Sequence, residues 1–341
     1  MAVAVAAVVV VAPASAQATG FAGSFASPAR QYQPKFRWWW PNALVDNAEI
    51  QAELDQMADA GFGGAEIADV HHSAKQPLDP TGHGWGTAAW TNAVQAALEK
   101  AKQRGMTVDL TAGPSWPSAV PSVTPDSPGA IKELAYGTAT VANGATFAGA
   151  PPAPALAPTS SAVTQHKLIY VQAAKVTVVG APPKTAYTLD GSTVTNVPIA
   201  ADGTVSWTAP ADGNWILISY FERGSGQKPE GSAHTTPDSY VIDHFSQTGT
   251  KAITDYWDEH VLTPTVRSLL KDAGGALFED SLELETDSAL WTPGFADAFQ
   301  QQLGYSLLPY LPLGPRTTRR SPSTTPTRRC RHRSVVTSTS S

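Results

Sequence analysis

The sequence predicts an α/β protein, a (β/α)8 TIM-type barrel, incomplete in this chain, carrying an inserted antiparallel β-sandwich module. Three observations lead there. Strand and helix patterns alternate from residue 36 to 111, as βαβ units with a parallel sheet do. Acidic residues gather where those strands end, which is where barrel enzymes place reactive groups. From 133 to 235 the texture changes to β-branched runs between turn signals, and then reverts.

The elements follow in order. Phe36-Arg37-Trp38-Trp39-Trp40-Pro41 reads as a short strand stopped by proline. Asp46 to Ala60 reads as a helix, with Asp46 as N-cap, Glu49 in capping-box position, Ile50, Leu54 and Met57 at helical spacing, and Gly61 as terminator. Gly63 to Asp69 is the second strand. Ala88 to Arg104 is the second helix, with Trp90, Val94, Leu98 and Ala101 on one face and Gly105 after it. Met106 to Thr111 is the third strand. A doubly wound sheet fits this alternation too, but no Gly-x-Gly-x-x-Gly follows any strand, so a dinucleotide fold has no support. In the module, the runs Leu168 to Val171, Val176 to Val179 and Trp215 to Ile218 are separated by Asp190-Gly191, Asp202-Gly203 and Asp212-Gly213. The barrel pattern resumes with a fourth strand at Ser239 to Phe245, a helix from 249 to 272 interrupted by Pro264, and a fifth strand from Ala276 to Leu284 with its exit loop. Thr292-Pro293 then opens a helix to Leu303.

The expected organisation is a signal peptide over 1–18, the first part of the barrel over 25–132, the module over 133–235, the barrel's continuation over 236–312, and a disordered, truncated or out-of-frame tail over 313–341. The Ala/Val run ending in Pro13 and Ala14-Ser15-Ala16 carries the export expectation, secreted or periplasmic and cell-surface. It is too short for a membrane span of ~20 residues. The chain's net charge of −6 hides a split: seven of its 23 basic residues lie in 316–341, which leaves 16 against 29 acids, a net of −13. An acidic body excludes nucleic acid as the expected partner and suits a neutral polyhydroxylated one. The single cysteine, Cys330, offers no disulfide framework.

Two carboxylates flanking a glycosidic bond suffice to hydrolyse it, one as acid and one as base or nucleophile. Candidate side chains at strand ends are Glu66, Asp69, His71 and His72, then Asp109 and Trp116, then Asp243 and His244, and finally Glu279, Asp280, Glu283 and Glu285. Trp39, Trp40 and Trp291 join them as aromatic surfaces for a sugar ring. Alternate residues of a barrel strand point inward, so some of these acids are expected to serve ion pairs inside the barrel. Consecutive strand residues face opposite ways, so half of the tryptophan triplet is expected in the core. The adjacent histidines form no spaced metal motif.

Arg37-Trp38-Trp39-Trp40-Pro41, Gly61-Phe62-Gly63-Gly64-Ala65-Glu66-Ile67, Asp280-Ser281-Leu282-Glu283, Trp291-Thr292-Pro293 and Gly304-Tyr305 together span most of residues 30 to 312. In these motifs the chain resembles the α-L-rhamnosidases of glycoside hydrolase family 106. That resemblance implies a catalytic barrel with appended β-sandwiches, hydrolysis of terminal α-L-rhamnosides with inversion, and a calcium ion near the site. It carries the general acid over to Glu283, whose protonated form Asp280 or Glu285 would favour by like-charge repulsion. Trp39, Trp40, Glu66, Asp69, His72, Asp109, Trp116, His244, Glu279, Asp280 and Trp291 are the expected substrate-binding residues. The resemblance places the base on a later strand, beyond residue 341, so this chain alone is expected to be inactive. Calcium rests on the resemblance alone, with Glu66 or Asp69 as contributors. A non-catalytic carbohydrate-binding protein, or a barrel glycosidase for another sugar, are the alternatives.

Overall fold

The computed structural model describes residues 21–26, 28–70, 78–154, 162–179, 186–231 and 234–313. The expected signal peptide, His71, His72, Cys330 and the arginine-rich tail lie outside the described residues. A short helix, α1 (Phe21–Ala26), precedes β1 (Lys35–Trp40), α2 (Asn47–Asp59), β2 (Gly64–Asp69), α3 (Ala88–Arg104) and β3 (Thr107–Thr111). The predicted βαβ units therefore form as read. Asp46 caps α2 by accepting from the amides of Ala48 and Glu49. Thr87 caps α3, and Gly105 ends it at φ 64°, a left-handed conformation that suits glycine. Asp46→Ala is expected to cost about 1 kcal/mol in a urea unfolding curve. A loss too small to measure would mean the cap adds nothing here.

Between β3 and the next strand of the same sheet lie more than 150 residues. They comprise β4 (Ala119–Val120), β5 (Lys132–Val141), β6 (Thr146–Gly149), β7 (His166–Val179), β8 (Ala186–Leu189), β9 (Thr195–Asn196), β10 (Val205–Thr208), β11 (Trp215–Gly224), β12 (Tyr240–Val241), α4 (Gln247–Tyr256) and α5 (Pro264–Ala273). Then β13 (Gly274–Phe278) joins the first sheet, and β14 (Ala289–Trp291) and α6 (Phe295–Leu303) follow. The first sheet is parallel and half-barrel in form, in the order β1-β2-β3-β13. Its outer face buries Trp38, Trp40, Ala65, Ile67, Val108 and Leu110 against Ile50, Leu54, Trp90, Val94, Leu98, Val266 and Leu269 of α2, α3 and α5. Thr263 caps α5 with Pro264 in its first turn, so proline starts that helix rather than kinking it.

Two expectations change. The fourth predicted barrel strand, 239–245, is not in the parallel sheet. Its β12 pairs antiparallel with β4, Val241 N donates to Gln227 O, and Val241 O accepts from Ile131 N. These bonds leave its backbone nothing with which to extend the parallel sheet. It closes the neck of the insertion instead, and the parallel sheet has four strands among the described residues. Second, β14 and α6, expected to continue the barrel, lie on the antiparallel sheet. β14 pairs with β5, and Trp291 and Ala296 pack with Leu134, Ile216, Ile218 and Tyr220.

That antiparallel sheet runs β14-β5-β11-β7-β8, with β9 beside β7. Along β11, Ile216, Ile218 and Tyr220 face α6, while Trp215 and Leu217 face the β6–β10 ribbon through Val205, Phe147 and Trp207. Burial on both faces explains why this segment reads as a continuous apolar run rather than an alternating one. The predicted antiparallel module is thus present, covered on one face by a two-stranded ribbon and on the other by a helix. Among the described residues, no helix is long and apolar enough to cross a membrane.

Candidate functional site

Parallel register sets Arg37 opposite Glu66 and Glu66 opposite Asp109. Residues in register share a face, so these three form one row on the sheet's inner side, with Lys35 below and Trp39 above in β1. Arg37 Nε lies 2.8 Å from Glu66 Oε1, and its NH1 lies 2.8 Å from Asp280 Oδ1, just past β13. One guanidinium therefore ties two carboxylates from different strands into a fork. Arg37 is half exposed, so the fork fixes direction more than it adds stability. Asp109 is held on both oxygens by Lys35 Nζ at 2.6 Å, and it accepts from Ala276 N at 2.6 Å. Expected as a substrate-binding residue, it is engaged in an ion pair on the sheet instead.

Glu279, also past β13, accepts from Ser118 N at 2.8 Å and from the Ser118 hydroxyl. His244 sits above it. The His244 Nδ1 faces Ile242 O at 2.9 Å and so carries the proton, because a carbonyl cannot donate. Its Nε2 stands 3.6 Å from Glu279 Oε2. A hollow of about 570 Å³ borders His244, Phe245, Ser246 and Lys251 and does not reach the Arg37 fork.

Glu283 lies in an irregular segment running from 279 to 288, in a tight turn that Leu284 N closes by donating to Leu282 O at 2.9 Å. It is exposed, and its Oε1 accepts from Ser281 Oγ at 3.1 Å. Leu284 turns the other way, against Ala119, Ile131 and Val241. Glu285 is exposed like Glu283. Asp280 is engaged by Arg37 rather than turned freely toward Glu283.

The structure brings Trp39, Glu66, Asp109, Glu279, Asp280 and His244 to the strand ends and inner face. Trp39 is 52% exposed, the aromatic surface of the set. Four expected contacts are corrected or qualified. Trp40 is 1% exposed and packs edge-on against Trp38 at 5.3 Å, so it has no face left for a sugar. Trp291 is buried in the antiparallel sheet against Tyr170 and Phe295. Asp69 is fully buried. It accepts from Asn42 N at 2.9 Å, receives the Asn42 side-chain amide once that group is turned nitrogen-first, and lies 3.7 Å from His234 Nδ1. It pins the turn after β1. Trp116 is partly buried before a cis bond to Pro117, and its carbonyl accepts from Glu230 N at 2.7 Å. His72 lies outside the described residues.

Arg37, Lys35 and Ser118 are site residues that sequence reasoning did not assign. A signal for Arg37 existed: it shares strand parity with Trp39, opposite Trp38 and Trp40. Lys35 has the same parity. Ser118 carried none, because a loop brings it to Glu279. The calcium ion that the resemblance implies does not fit these residues. Glu66 is occupied by Arg37 and Asp69 by Asn42, and among the described residues no three His, Cys, Asp or Glu side chains gather as a metal group.

A four-stranded parallel sheet with helices on its outer face, and carboxylates and an exposed tryptophan at its strand ends, makes this an α/β protein of half-barrel form. The chain belongs to glycoside hydrolase family 106, alpha-L-rhamnosidase, whose profile matches residues 26–187 and 170–317. A search among curated proteins finds no match. Among solved structures, a rhamnosidase from Novosphingobium sp. PP1Y is similar, with a TM-score of 0.64 and 16% identity over 85% of this chain and 42% of that one. At that identity the likeness shows the fold, and the chain spans less than half the length of that protein.

Proposed function

We propose that this chain is the acid-bearing part of a secreted glycoside hydrolase that cleaves terminal α-L-rhamnosides with inversion, within a complete (β/α)8 barrel. The observation that carries the reading is the 279–288 segment: Asp280 is locked to Arg37, and Glu283 stands exposed three residues on. Glu283 donates its proton to the glycosidic oxygen as the bond to the anomeric carbon breaks. The aglycone leaves as its alcohol, Glu283 remains as the carboxylate, and a water adds to the anomeric carbon from the opposite face. The second carboxylate draws a proton from water on the opposite face of the sugar, about 6.5–9.5 Å from the acid, and is assigned to a later barrel strand. Trp39 offers its ring to the sugar, while Glu66 and Asp280, oriented by Arg37, accept from its hydroxyls. The family supports the choice of rhamnose and inversion, and the Ala/Val run ending in Ala14-Ser15-Ala16 supports export. The alternative, a carbohydrate-binding protein without catalysis, keeps Trp39 and the fork but needs no acid.

The deciding experiment is hydrolysis of phenyl α-L-rhamnopyranoside by the chain as given and by a longer form that completes the barrel, each beside its Glu283→Gln variant. Cleavage that the variant loses supports the enzyme. A folded longer protein that binds rhamnosides and cleaves no aryl glycoside would move the reading to the binding protein. Trp39→Ala is expected to leave stability within about 0.5 kcal/mol, as for an exposed side chain. It should weaken rhamnoside binding roughly five- to tenfold, since about 40–60 Å² of apolar contact is worth about 1–1.5 kcal/mol. Unchanged binding in a calorimetric titration would remove Trp39 from the site.

A further inference from the structure

We propose that Gln227, in the link after β11, is a positioning residue whose side-chain amide sets the register of the 279–288 segment and so the side on which Glu283 presents its carboxyl group. The inference rests on the reading of Glu283 as the acid. Within the segment Leu284 is turned in and Glu283 and Glu285 are turned out, and Leu284 N donates to Leu282 O at 2.9 Å in a tight turn around Glu283. A slip of one residue would carry Glu283 toward the place of Leu284 and out of its exposed position. The apolar contact of Leu284 is non-directional and resists that slip only loosely. Gln227 is directional. Its Nε2 donates to Glu283 O at 2.7 Å, and its Oε1 accepts from Glu285 N at 2.8 Å. These two groups flank Leu284, and one planar amide engages both, much as the backbone of a parallel neighbouring strand would.

Gln227 is itself held. Its backbone oxygen accepts from Val241 N at 3.0 Å and its backbone N–H donates to Ser225 Oγ at 3.2 Å. The segment's other fasteners are at its ends. Ser118 holds Glu279 and Arg37 holds Asp280 upstream. Downstream, Glu133 Oε2 accepts from Asp287 N at 2.7 Å and from Ser288 N at 3.0 Å. Gln227 holds the backbone between those ends, directly at the acid. Because it leaves the end of β11, the antiparallel module acquires a function: it supplies the clamp for the general acid of the parallel sheet.

The test uses Gln227→Ala, and Gln227→Glu, which keeps the shape and the acceptor for Glu285 N but turns an acceptor toward Glu283 O. In whichever protein cleaves, the chain or a longer form that completes the barrel, Gln227→Ala is expected to lower kcat on phenyl α-L-rhamnopyranoside about 10- to 100-fold, the scale of a misplacement near 1 Å, with KM within about threefold. Amide hydrogen exchange at Glu285 should quicken roughly tenfold or more, while exchange at Val241, held by the Gln227 backbone, stays as it was. Glu283→Gln separates the two readings. If it abolishes cleavage while Gln227→Ala keeps kcat within twofold, the clamp is overturned and the acid stands. If neither parent form cleaves, the acid assignment falls and the clamp falls with it. Should Gln227→Ala fail to fold, Gln227→Glu decides, and a kcat equal to the parent's overturns the proposal.

Discussion

Glu283→Gln is expected to slow hydrolysis of phenyl or alkyl α-L-rhamnosides by roughly 10²–10⁴, the range that one general acid contributes. Glutamine matches the carboxyl group in shape, and its Oε1 still accepts from Ser281 Oγ, the bond seen at 3.1 Å. What it lacks is an acidic proton. The loss should therefore depend on the leaving group. A p-nitrophenolate departs with little help, so activity on the nitrophenyl substrate should fall much less than on the phenyl one. That ratio distinguishes a missing acid from a distorted site, which would slow both substrates alike. Equal losses on the two substrates would transfer the acid role away from Glu283. The exposure of Glu283 favours folding of the variant, because no buried partner is left unmet.

Arg223→Ala is expected to cost about 3–5 kcal/mol of stability, the penalty for leaving one half of a buried pair without the other. Arg223 and Glu133 are register partners on β11 and β5. Their side chains are 3% and 1% exposed, with Nε 3.4 Å from Oε1. Burial pushes the Glu133 carboxyl above the usual range, while the Ser288 amide, the Arg223 guanidinium and the Asp287 amide pull it back down. Removing Arg223 takes away one of those pulls. A carboxyl raised in the folded state adds stability below its unfolded value, near 4.5, and loses it as pH rises through the folded value. The variant's deficit should therefore be smaller near pH 5 than near pH 7.5 in urea titrations. A double variant, Arg223→Met with Glu133→Gln, should recover part of the loss. A deficit under about 1 kcal/mol at pH 7.5 would show that water reaches the pair and that it behaves as an exposed bridge.

Local elements were legible in the sequence because their causes are local. The cap at Asp46 and the left-handed Gly105 each depend on a few neighbouring residues, and each stands where the pattern put it, whereas the helix expected to open at Thr292-Pro293 starts at Phe295. The first three parallel strands and the change to antiparallel texture also stand where the pattern put them. Partnership was less legible. The run at 239–245 has the composition of a barrel strand, yet it pairs with β4. Composition records that a segment is buried and extended, not which neighbour takes its hydrogen bonds.

The same division runs through the candidate site. Residue types and strand parity determined that Arg37 and Trp39 share one face of β1 and that Trp38 and Trp40 share the other, because side chains alternate along any extended chain. Sequence also determined that carboxylates cluster past β13, and its motifs pointed to the family that the profile match shows. Only the tertiary structure decided which carboxylates are already occupied. Asp69 and Asp109 spend their charge on Asn42 and Lys35, Trp291 belongs to another sheet, and Gln227 reaches Glu283 across 56 residues of chain. Those pairings depend on distances between segments far apart in sequence, and such distances exist only once two sheets with different strand directions have packed through a shared neck.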